Sequence, residues 1–436
     1  MHASLQSLFL LLLASSSLAA PPQPSRVQKR GVFKVERVKN PNYVRSPGAG
    51  TRALIKAHMK YKVPLPEGLV AAMAAAGGPD PPPMPIRVRQ GVAAPTGTGT
   101  PNAGGAGGKT GKVAAVPEKG DVEYLSPVDI GGQTVMLDFD SGSSDLWVFN
   151  NQLPAAQQAG HKVFDITKST TFQMMPGATY KISYGDGSGT SGNVGTDVVN
   201  VGGAVVQNQA VELATAVSQS FTQDTASNGL LGLAFSKLNT VKPTQVKTFF
   251  DNVMPQLAMP VFTADLRKNA VGAYEFGAID SSKFNGTMQW APVNTTNGFW
   301  QFSTSSFQVG TGAPIQSPGA QAIADTGTTL MLTSAAVVNA YYSQVQGAVN
   351  NQQVGGVTFP CNAVLPDMKF DVGGAYMATV RGSDINFAQV DNTGQTCFGG
   401  IQAINSNLQI YGDILFKSQF VAFNGGNASL GMAPHQ

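Results

Sequence analysis

The chain has 436 residues, of which 42% are hydrophobic and 12% are charged, so it can bury a large core and form more than one folding unit. The part of the chain that follows residue 112, where the acidic residues are concentrated, contains two histidines, His161 and His435. A histidine-rich metal site is therefore excluded, and a Ser/His/Asp triad would have to use His161. No segment has the complete P-loop pattern of Gly, four residues and Gly-Lys-Ser or Gly-Lys-Thr, so nucleotide hydrolysis has no support. Carboxylates remain as the candidate catalytic groups.

Residues 1–20 have the pattern of a secretory signal peptide, with an apolar run at residues 8–13 that is followed by small residues. The run is too short to span a bilayer, and no later stretch approaches the necessary length. We therefore predict that the protein is secreted to the extracellular space and has no membrane association.

Charge is distributed unevenly along the chain. Residues 1–112 contain 15 lysines and arginines and three acidic residues, a net charge of +12, whereas the remaining residues contain 13 and 22, a net charge of −9. Opposite charges attract most strongly where solvent screens them least. Residues 21–112 are therefore predicted to be a propeptide that docks on the acidic body. The alternative is a basic arm for nucleic acid; the secretory signal argues against it, and we expect no nucleic-acid partner.

The predicted propeptide divides into two parts. Residues 31–67 contain plausible strand and helix, including an apolar-rich segment at residues 53–61. Residues 71–111 are rich in Pro, Gly, Thr and Ala and contain no aromatic residue. Such a composition cannot bury enough apolar surface to order itself, so this tract is predicted to be an exposed, cleavable linker.

From residue 122 onward, short apolar runs alternate with clusters of Gly, Asn, Asp, Ser and Pro, which is typical of an all-β body. Few segments show a sustained helical period. Strands are predicted at residues 134–139, 180–184, 204–211 and 420–423, and helices at residues 244–254 and 335–344.

The cysteine content consists of Cys361 and Cys397. Because a secreted chain reaches an oxidising compartment, a structural disulfide between them is predicted. A zinc or nucleophile role would need partner residues that the sequence does not place nearby. Three glycosylation sequons begin at Asn285, Asn294 and Asn427, which fits a secreted glycoprotein.

Two segments of the body repeat each other. Each is an apolar-leaning strand that runs into Asp, a hydroxyl residue, Gly and a second hydroxyl residue, with Asp140 in the first copy and Asp325 in the second. A single Asp-Ser-Gly is usually a turn in which the Asp side chain bonds the backbone ahead of it. Each copy is followed, at a similar distance, by an apolar strand that contains a glycine, Gly232 or Gly412. A duplicated β lobe explains both pairs at once.

These motifs resemble those of the pepsin family of aspartic proteases, in particular the fungal penicillopepsin and aspergillopepsin group. The resemblance covers residues 123–434, with all motifs in the family's order. It implies an all-β, bilobal, pepsin-like double β-barrel with a deep active-site cleft between an N-terminal lobe, residues 113–292, and a C-terminal lobe, residues 293–436.

The resemblance also implies an acid endopeptidase that acts on proteins and peptides, with Asp140 and Asp325 as the catalytic dyad and a monomer as the expected state. The supporting residues that it implies are two glycines whose backbone donates to the carboxylates, two hydroxyl residues that orient the outer carboxylate oxygens, and two hydroxyl residues that bond across the lobes: Gly142 and Gly327, Ser143 and Thr328, and Ser141 and Thr326. Ser141 replaces the commoner Thr, and because a hydroxyl is retained we expect a small effect.

The segment at residues 184–188 resembles the family's flap, a hairpin that closes over bound peptide, and Trp147 resembles its hydrogen-bonding neighbour. An ordinary hairpin turn is the alternative. In the aspergillopepsin group an acid at the Asp186 position is associated with accepting Lys before the scissile bond, so we expect basic as well as large apolar residues there. The candidate flap and substrate-binding residues are Tyr184, Gly185, Asp186, Ser188 and Trp147.

Two carboxyl groups held close together cannot both ionise easily, so they share one proton and titrate as a coupled pair. One then accepts a proton from a bridging water while the other donates to the scissile carbonyl, a mechanism that needs no metal or cofactor. The leader around Lys60-Tyr61 resembles propeptides of this family, and Lys60 is a candidate to pair with the dyad and inhibit it intramolecularly. A solvated helix lysine is the alternative.

Two other functions compete with this reading. A catalytically inactive pepsin-like binder would keep the fold and lose an aspartate or a flanking glycine, and the sequence retains all of them. A glycosidase with two carboxylates is the second rival, which the repeated loops and the candidate flap disfavour.

Overall fold

The computed structural model describes residues 33–37, 48–66, 68–70, 72, 112–117, 124–183, 189–268 and 272–436. Three predicted segments fall wholly or mostly outside the described residues: the signal peptide at residues 1–20, the linker at residues 71–111 and the flap tip at residues 184–188. What the sequence indicates for them stays a prediction.

Strands dominate the described part of the chain. In chain order they are β1 Phe33–Arg37, β2 Lys112–Pro117, β3 Tyr124–Ile130, β4 Gln133–Asp140, β5 Leu146–Val148, β6 Gln173–Ser183, β7 Gly189–Val201, β8 Ala204–Val217, β9 Gly229–Gly232, β10 Val261–Asp265, β11 Ala273–Phe276, β12 Gln289–Pro292, β13 Gln301–Ser303, β14 Ser306–Val309, β15 Ile315–Gln316, β16 Gln321–Ala324, β17 Met331–Thr333, β18 Val349–Asn351, β19 Gly356–Pro360, β20 Met368–Val372, β21 Tyr376–Val380, β22 Asn386–Gln389, β23 Thr396–Gly399, β24 Ile401–Ala403, β25 Leu408–Tyr411, β26 Gln419–Asn424 and β27 Ser429–Pro434.

The helices of the described residues are short apart from the first. They are α1 Ala49–Lys60, α2 Ala155–Gln158, α3 Gln219–Gln223, α4 Phe249–Val253, α5 Ala335–Tyr342, α6 Gly382–Ile385 and α7 Asp413–Phe416, with 3₁₀ turns at Ser236–Leu238, Met254–Gln256, Ser281–Lys283 and Thr295–Asn297. Within the described part of the chain, no helix is long and apolar enough to cross a membrane.

The first lobe is a barrel. Its strands follow one another in the order β3, β4, β9, β5, β8 and β7, and β3 also pairs with β7, so the sheet closes on itself. The β3–β4 hairpin turns through Gly131 and Gly132, whose φ angles are 53° and 79°. A two-residue turn that matches the strand twist needs positive φ at both positions, which glycine adopts without steric cost. The all-β prediction for the body is confirmed.

A second set of strands connects the lobes. Beyond β3 the sheet continues through β2, β1, β11, β10, β26, β27 and β12. Strand β1, which lies within the predicted propeptide, pairs in parallel with β2 and antiparallel with β11. Strand β1 of the leader is therefore part of the same sheet as strands from the last part of the first lobe, β10 to β12, and from the last part of the second lobe, β26 and β27. The predicted lobe boundary at residues 292 and 293 stays a prediction.

Aromatic side chains pack beneath this connecting sheet. Phe262 and Phe423 stack with ring centroids 4.4 Å apart, and Trp300 meets both at their edges. Burying such a ring contributes about 2 kcal/mol or more to folding.

The second lobe repeats the local topology of the first. Strands β4 and β9 run parallel, and β5 pairs antiparallel with β9. In the second lobe β16 and β25 run parallel, and β17 pairs antiparallel with β25. The duplicated, bilobal pepsin-like architecture that the repeated motifs predict is confirmed.

One helix prediction is largely wrong. Residues 244–254 were expected to be helical, but α4 begins only at Phe249. Thr248 accepts a hydrogen bond from the Asp251 amide and so caps the helix there. The amide of Val246 donates instead to the Asn239 side chain, which holds the preceding residues in an irregular path. The prediction of helix at residues 335–344 is confirmed by α5. The leader contains both strand and helix, as predicted for residues 31–67, and its apolar-rich segment at residues 53–61 lies almost entirely in α1.

The predicted disulfide is confirmed. Cys361 and Cys397 are bonded, 36 residues apart in the chain, and the bond joins the end of β19 to β23. Closing a loop of this length stabilises the fold by about 4 kcal/mol in the chain-entropy model. It fastens a small sheet on the face of the second lobe that contacts α1.

Candidate active site

Both candidate aspartates lie at the ends of equivalent strands. Asp140 is the last residue of β4 and pairs with Gly232 of β9. Asp325 follows β16 directly, and its amide donates to the Tyr411 carbonyl at the end of β25, at 3.1 Å. Their exposed fractions are 1% and 0%. Two carboxyl groups from distant parts of the chain are therefore buried at one place.

Two glycines make room for the loops that follow the aspartates. A Cβ on Gly232 would lie 2.6 Å from the Asp145 nitrogen, and a Cβ on Gly412 would overlap the carbonyl oxygens of Thr328 and Leu330. Each glycine lets its own strand pack directly on the loop of the same lobe. This is the physical reason for the second repeated motif in the sequence.

Backbone amides and hydroxyls surround the two carboxyl groups in matching positions. Gly142 N donates to Asp140 Oδ1 at 2.8 Å, and Gly327 N donates to Asp325 Oδ1 at 3.0 Å. The hydroxyls of the predicted outer residues donate to the other oxygens: Ser143 to Asp140 Oδ2 and Thr328 to Asp325 Oδ2.

The same glycines show that the carboxyl groups face each other. A Cβ built on Gly142 would lie 2.5 Å from Asp325 Oδ1, and one built on Gly327 would overlap Asp140 Oδ1. Any side chain at either position would push into the carboxylate of the opposite lobe. Each lobe therefore contributes one aspartate and the glycine that admits the other.

Ser141 and Thr326 link the two loops by crossed hydrogen bonds. Ser141 N donates to Thr326 Oγ1 at 3.0 Å, and Thr326 N donates to Ser141 Oγ at 2.9 Å. Each hydroxyl then donates to a backbone carbonyl of the opposite strand, Ser141 to Ala324 and Thr326 to Phe139. Serine at residue 141 makes every bond of this pattern, as the retained hydroxyl predicts.

The leader reaches the dyad through the end of α1. Lys60 Nζ lies 2.7 Å from Asp140 Oδ1 and 3.0 Å from both carboxyl oxygens of Asp325. Tyr61 OH donates to Asp325 Oδ2 at 2.5 Å. The resemblance of the leader to family propeptides includes the Lys60-Tyr61 pair, but the sequence gives no signal for the contact between Tyr61 and Asp325.

Charge and burial set the ionisation of this cluster. Burial raises the pKa of Asp140, and the neighbouring Asp325 adds to the rise while Lys60 opposes it. For Asp325 the burial effect is outweighed by the Lys60 ammonium and by hydrogen bonds, so its pKa falls to about 2. Burial disfavours the charge of Lys60, but the two carboxylates raise its pKa overall. Lys60 is therefore a charged ammonium that bridges the two carboxyl groups. Of the two, Asp325 is the one whose charged form is favoured.

The remaining predicted site residues are only partly described. Trp147 lies on β5, is 2% exposed, and packs against Phe149 and Phe221. Its indole Nε1 is buried and has no hydrogen-bond partner among the described residues. The four candidate flap residues, Tyr184, Gly185, Asp186 and Ser188, lie outside the described part, so the predicted bond between Trp147 and Tyr184 stays a prediction.

Two features near the dyad escaped the sequence reading. Asp138 lies on β4 two residues before Asp140, and burial raises its pKa to about 7. A cavity of ≈ 290 Å³ is lined by residues of the leader, among them Lys60 and Tyr61, and by residues of the body that include Phe299 and Leu408. The only signal for Asp138 in the sequence is its position on the strand, where it alternates with apolar residues and precedes Asp140 by two. In the described residues no cluster of three or more His, Cys, Asp or Glu side chains could hold a metal ion.

Two buried aspartates, one from each half of a duplicated β fold, face each other through matched glycine loops, which is the arrangement expected of an aspartic endopeptidase. Comparison with known proteins supports this class. A family model described as eukaryotic aspartyl protease matches residues 123–435.

Curated relatives agree with the family model. An aspergillopepsin A-like aspartic endopeptidase of Aspergillus fumigatus is 46% identical over 440 residues, which cover 99% of each chain. Penicillopepsin-3 of Penicillium janthinellum is 47% identical over 74% of this chain and 82% of its own. Endothiapepsin of Cryphonectria parasitica is 43% identical over 92% of this chain and 90% of its own. The chain therefore belongs to the eukaryotic aspartyl protease family and is a pepsin-like hydrolase.

The crossed hydrogen bonds give a testable prediction. Thr326→Val keeps the side-chain shape but removes the hydroxyl, which leaves the buried amide of Ser141 without its acceptor. We expect the free energy of unfolding to fall by about 1–3 kcal/mol, and kcat/KM for a peptide to fall by about tenfold or more because the two loops lose their mutual alignment. Urea denaturation and steady-state kinetics measure the two effects.

Ser141→Thr is the matched control, since threonine keeps the hydroxyl, and it should behave like the wild type. If Thr326→Val matched the wild type in both stability and kcat/KM, the crossed bonds would have no part in aligning the dyad.

Proposed function

We propose that this chain is the secreted zymogen of a monomeric acid endopeptidase, in which residues 21–112 inhibit the catalytic dyad until acid releases them. The single observation that carries this proposal is the ammonium of Lys60, which lies 2.7 Å from Asp140 and 3.0 Å from Asp325. Its side chain is 10% exposed, so a cation from the leader fills the space between the carboxyl groups.

Once the leader leaves, a water molecule can take the place of the ammonium between the two carboxyl groups. The charged carboxylate accepts a proton from this water, whose oxygen attacks the scissile carbonyl carbon, while the neutral carboxyl donates its proton to the carbonyl oxygen. The resulting gem-diol intermediate then breaks its C–N bond: the carboxyl group that took the water's proton gives it to the amine nitrogen, and the other carboxylate takes a proton from a diol hydroxyl, which restores the singly protonated dyad. The amides of Gly142 and Gly327 and the hydroxyls of Ser143 and Thr328 hold the carboxyl oxygens in place throughout.

Replacing either aspartate tests the dyad. In Asp140→Asn or Asp325→Asn the side-chain shape is retained, but no proton can be shared, so peptide hydrolysis at acidic pH should fall by about 10²–10⁴-fold. Wild-type activity should fall as pH rises through the upper apparent pKa of the dyad, because both carboxyls are then charged. The measurement is kcat/KM against pH on a peptide with large apolar residues around the scissile bond, after acid treatment of the chain.

A statine-type transition-state analogue such as pepstatin should stop the wild-type reaction, and a metal chelator should leave it unchanged. Hydrolysis that survives either Asn variant would contradict the proposed dyad. The absence of any acid proteolysis would favour an inactive binder, and cleavage of glycosidic bonds would favour a glycosidase.

The leader is also built to be released by acid. In the docked state the pKa of Asp325 is lowered, so its attraction to Lys60 is complete above the ordinary carboxyl pKa and is lost as pH falls. His58, two residues before Lys60, is 1% exposed, and neither ring nitrogen has a hydrogen-bond partner among the described residues. Burial lowers the pKa of His58 to about 4, so docking favours its neutral form and weakens as pH falls below the ordinary histidine value. Asp325 and His58 therefore both weaken docking as pH falls, and the raised pKa of Asp140 opposes them.

Lys60→Met tests the inhibition. The apolar side chain would leave two buried carboxyls without a counter-charge, which destabilises the docked leader by about 3 kcal/mol or more, equivalent to over 100-fold in the fraction released. The variant should therefore convert to the active form at a higher pH than the wild type. Peptide hydrolysis during a pH titration of the chain recovered from culture medium measures this, and N-terminal sequencing should place the mature start between residues 112 and 116.

His58→Phe is the companion variant, because phenylalanine fills the site but cannot take a proton, and its conversion should need a lower pH. A Lys60→Met zymogen as latent as the wild type would show that Lys60 does not inhibit the dyad.

The preference before the scissile bond follows from a residue outside the described part. Asp186 lies in the predicted flap, and a carboxylate there would attract a lysine of the substrate, whereas the cleft itself suits large apolar side chains. We predict that Asp186→Ser lowers kcat/KM for a Lys substrate by about tenfold, the worth of one ion pair in a partly dry site. The paired measurement uses two peptides that differ only in Lys or Leu at that position. An equal effect on both peptides, or none on the Lys peptide, would refute the role.

A further inference from the structure

A second pair of buried carboxyl groups lies beside the loop that carries Asp140. Asp145 ends this loop and is 3% exposed, and Glu212, on β8, is 1% exposed. Glu212 is paired across the sheet with Trp147 of β5, which places its side chain near the start of that strand. Neither acid takes part in the mechanism above.

Asn239 connects the two carboxyl groups to each other and to the loop. Its Nδ2 donates to Asp145 Oδ1 at 3.0 Å, to Glu212 Oε1 at 3.1 Å and to the Ser144 carbonyl at 3.2 Å. Asp145 Oδ1 also accepts from the amide and the hydroxyl of Thr240, at 2.8 and 3.1 Å. The side chain of Asp145 is therefore held by several donors at once.

The surroundings supply no positive charge in the described part of the chain. Strand β5 has no titratable residue, and β8 has none besides Glu212. The acids of the neighbouring β7 and α4, Asp197 and Asp251, bond to hydroxyls of Thr171 and Ser236. The lysines of the segment next to Asn239 have exposed side chains: Lys237, Lys242 and Lys247.

One proton must therefore accompany this pair. Glu212 Oε2 is buried and receives no hydrogen bond from the described residues. Burial, and then the neighbouring Asp145, raise the pKa of Glu212 well above its ordinary value. Burial also raises the pKa of Asp145, although the Thr240 donors and the neighbouring Glu212 oppose the rise. A neutral Glu212 that donates to a charged Asp145 satisfies all of these contacts.

The pair is coupled to the catalytic loop through the backbone. Gly232 N donates to the Asp145 carbonyl at 2.9 Å, and Leu233 N donates to the Asp140 carbonyl at 2.7 Å. Ala234 N donates to the Ser143 carbonyl at 2.8 Å. Residues 140–145 thus form a rigid unit with β9 whose far end is anchored by the Asp145 side chain.

We propose that Glu212 and Asp145 are positioning residues that share one buried proton and, with Asn239, anchor the loop that holds Asp140 in its reactive position. The shared proton makes the anchor stable in acid. Above the pH at which it is lost, two adjacent buried charges repel, the anchor opens, and the first lobe loses its active geometry separately from the titration of the dyad.

The sign of the pH effect follows from the raised pKa of Glu212. Its contribution to folding is complete below the ordinary carboxyl pKa and declines as pH rises toward the folded-state value. Dyad ionisation is reversed when acid is restored, whereas opening of a lobe leads to lasting inactivation. The two effects can therefore be separated by returning the enzyme to acidic pH before the assay.

Two substitutions of Glu212 test the proposal on the acid-treated full chain. Glu212→Gln can donate to Asp145 and accept from Asn239 but cannot ionise, so it should keep kcat and KM at acidic pH within about twofold. Its half-life at pH 7, measured as activity recovered at acidic pH, should lengthen by about tenfold, one pKa unit of linkage. Glu212→Ala removes the donor and should lower kcat at acidic pH by about tenfold while KM stays nearly constant.

Asp391→Asn, which removes an exposed carboxylate from the second lobe, controls for loss of one charge and should match the wild type. A Glu212→Gln half-life equal to that of the wild type at pH 7 would overturn the shared proton. If Glu212→Ala does not fold, the Gln variant still decides, because loss of its acid activity would show that glutamine cannot replace a protonated Glu212. A wild-type chain inactive in acid would instead refute the proposed protease function.

Discussion

Asp140 and Asp325 are carboxyl groups that lie buried and face to face beneath the leader, and such groups repel each other when both are charged. The neighbouring contacts stabilise the two carboxyl groups in this arrangement. Glycine amides and hydroxyls donate to the oxygens of each carboxyl, and the glycines leave no Cβ to separate the two groups. The crossed bonds of Ser141 and Thr326 keep the two loops from drawing apart. The duplicated β fold brings these two loops together, because each loop follows an equivalent strand of its own lobe.

The leader meets the same constraint with a cation. Lys60 supplies the charge that lowers the pKa of Asp325 and opposes the rise in the pKa of Asp140. Helix α1 positions Lys60 by packing on the second lobe, where the Thr51 hydroxyl donates to the Val354 carbonyl. Because β1 also belongs to the connecting sheet, the leader is held at two separate places. Attraction between a basic leader and an acidic body thus ends in one specific contact, and in the proposed zymogen protonation of the groups in that contact releases the leader.

Asp145 and Glu212 apply the same electrostatics a few residues away. A proton shared between buried carboxyls is held firmly in acid and poorly near neutrality, so a fold that uses such pairs is matched to acidic conditions. In the mechanism proposed above the dyad uses its proton for chemistry, whereas the second pair is proposed to use its proton to position the catalytic loop. The contacts of Asn239 are consistent with a positioning role, because its amide donates to both acids and to a backbone carbonyl of the loop that carries Asp140.

The sequence by itself determined the strand-rich body, the duplication, the two aspartates with their glycine and hydroxyl neighbours, and the disulfide, because these depend on local patterns and on two copies of one motif. Tertiary structure decided what depends on contacts between distant residues. Whether Lys60 meets the dyad or solvent could not be read from a helix sequence, since the answer lies in where α1 docks. The first half of the helix predicted at residues 244–254 does not form, because the Val246 amide donates to the Asn239 side chain instead. The proximity of Asp145 and Glu212 has no periodic signature in the sequence. Such polar contacts join side chains that only the folded chain makes neighbours.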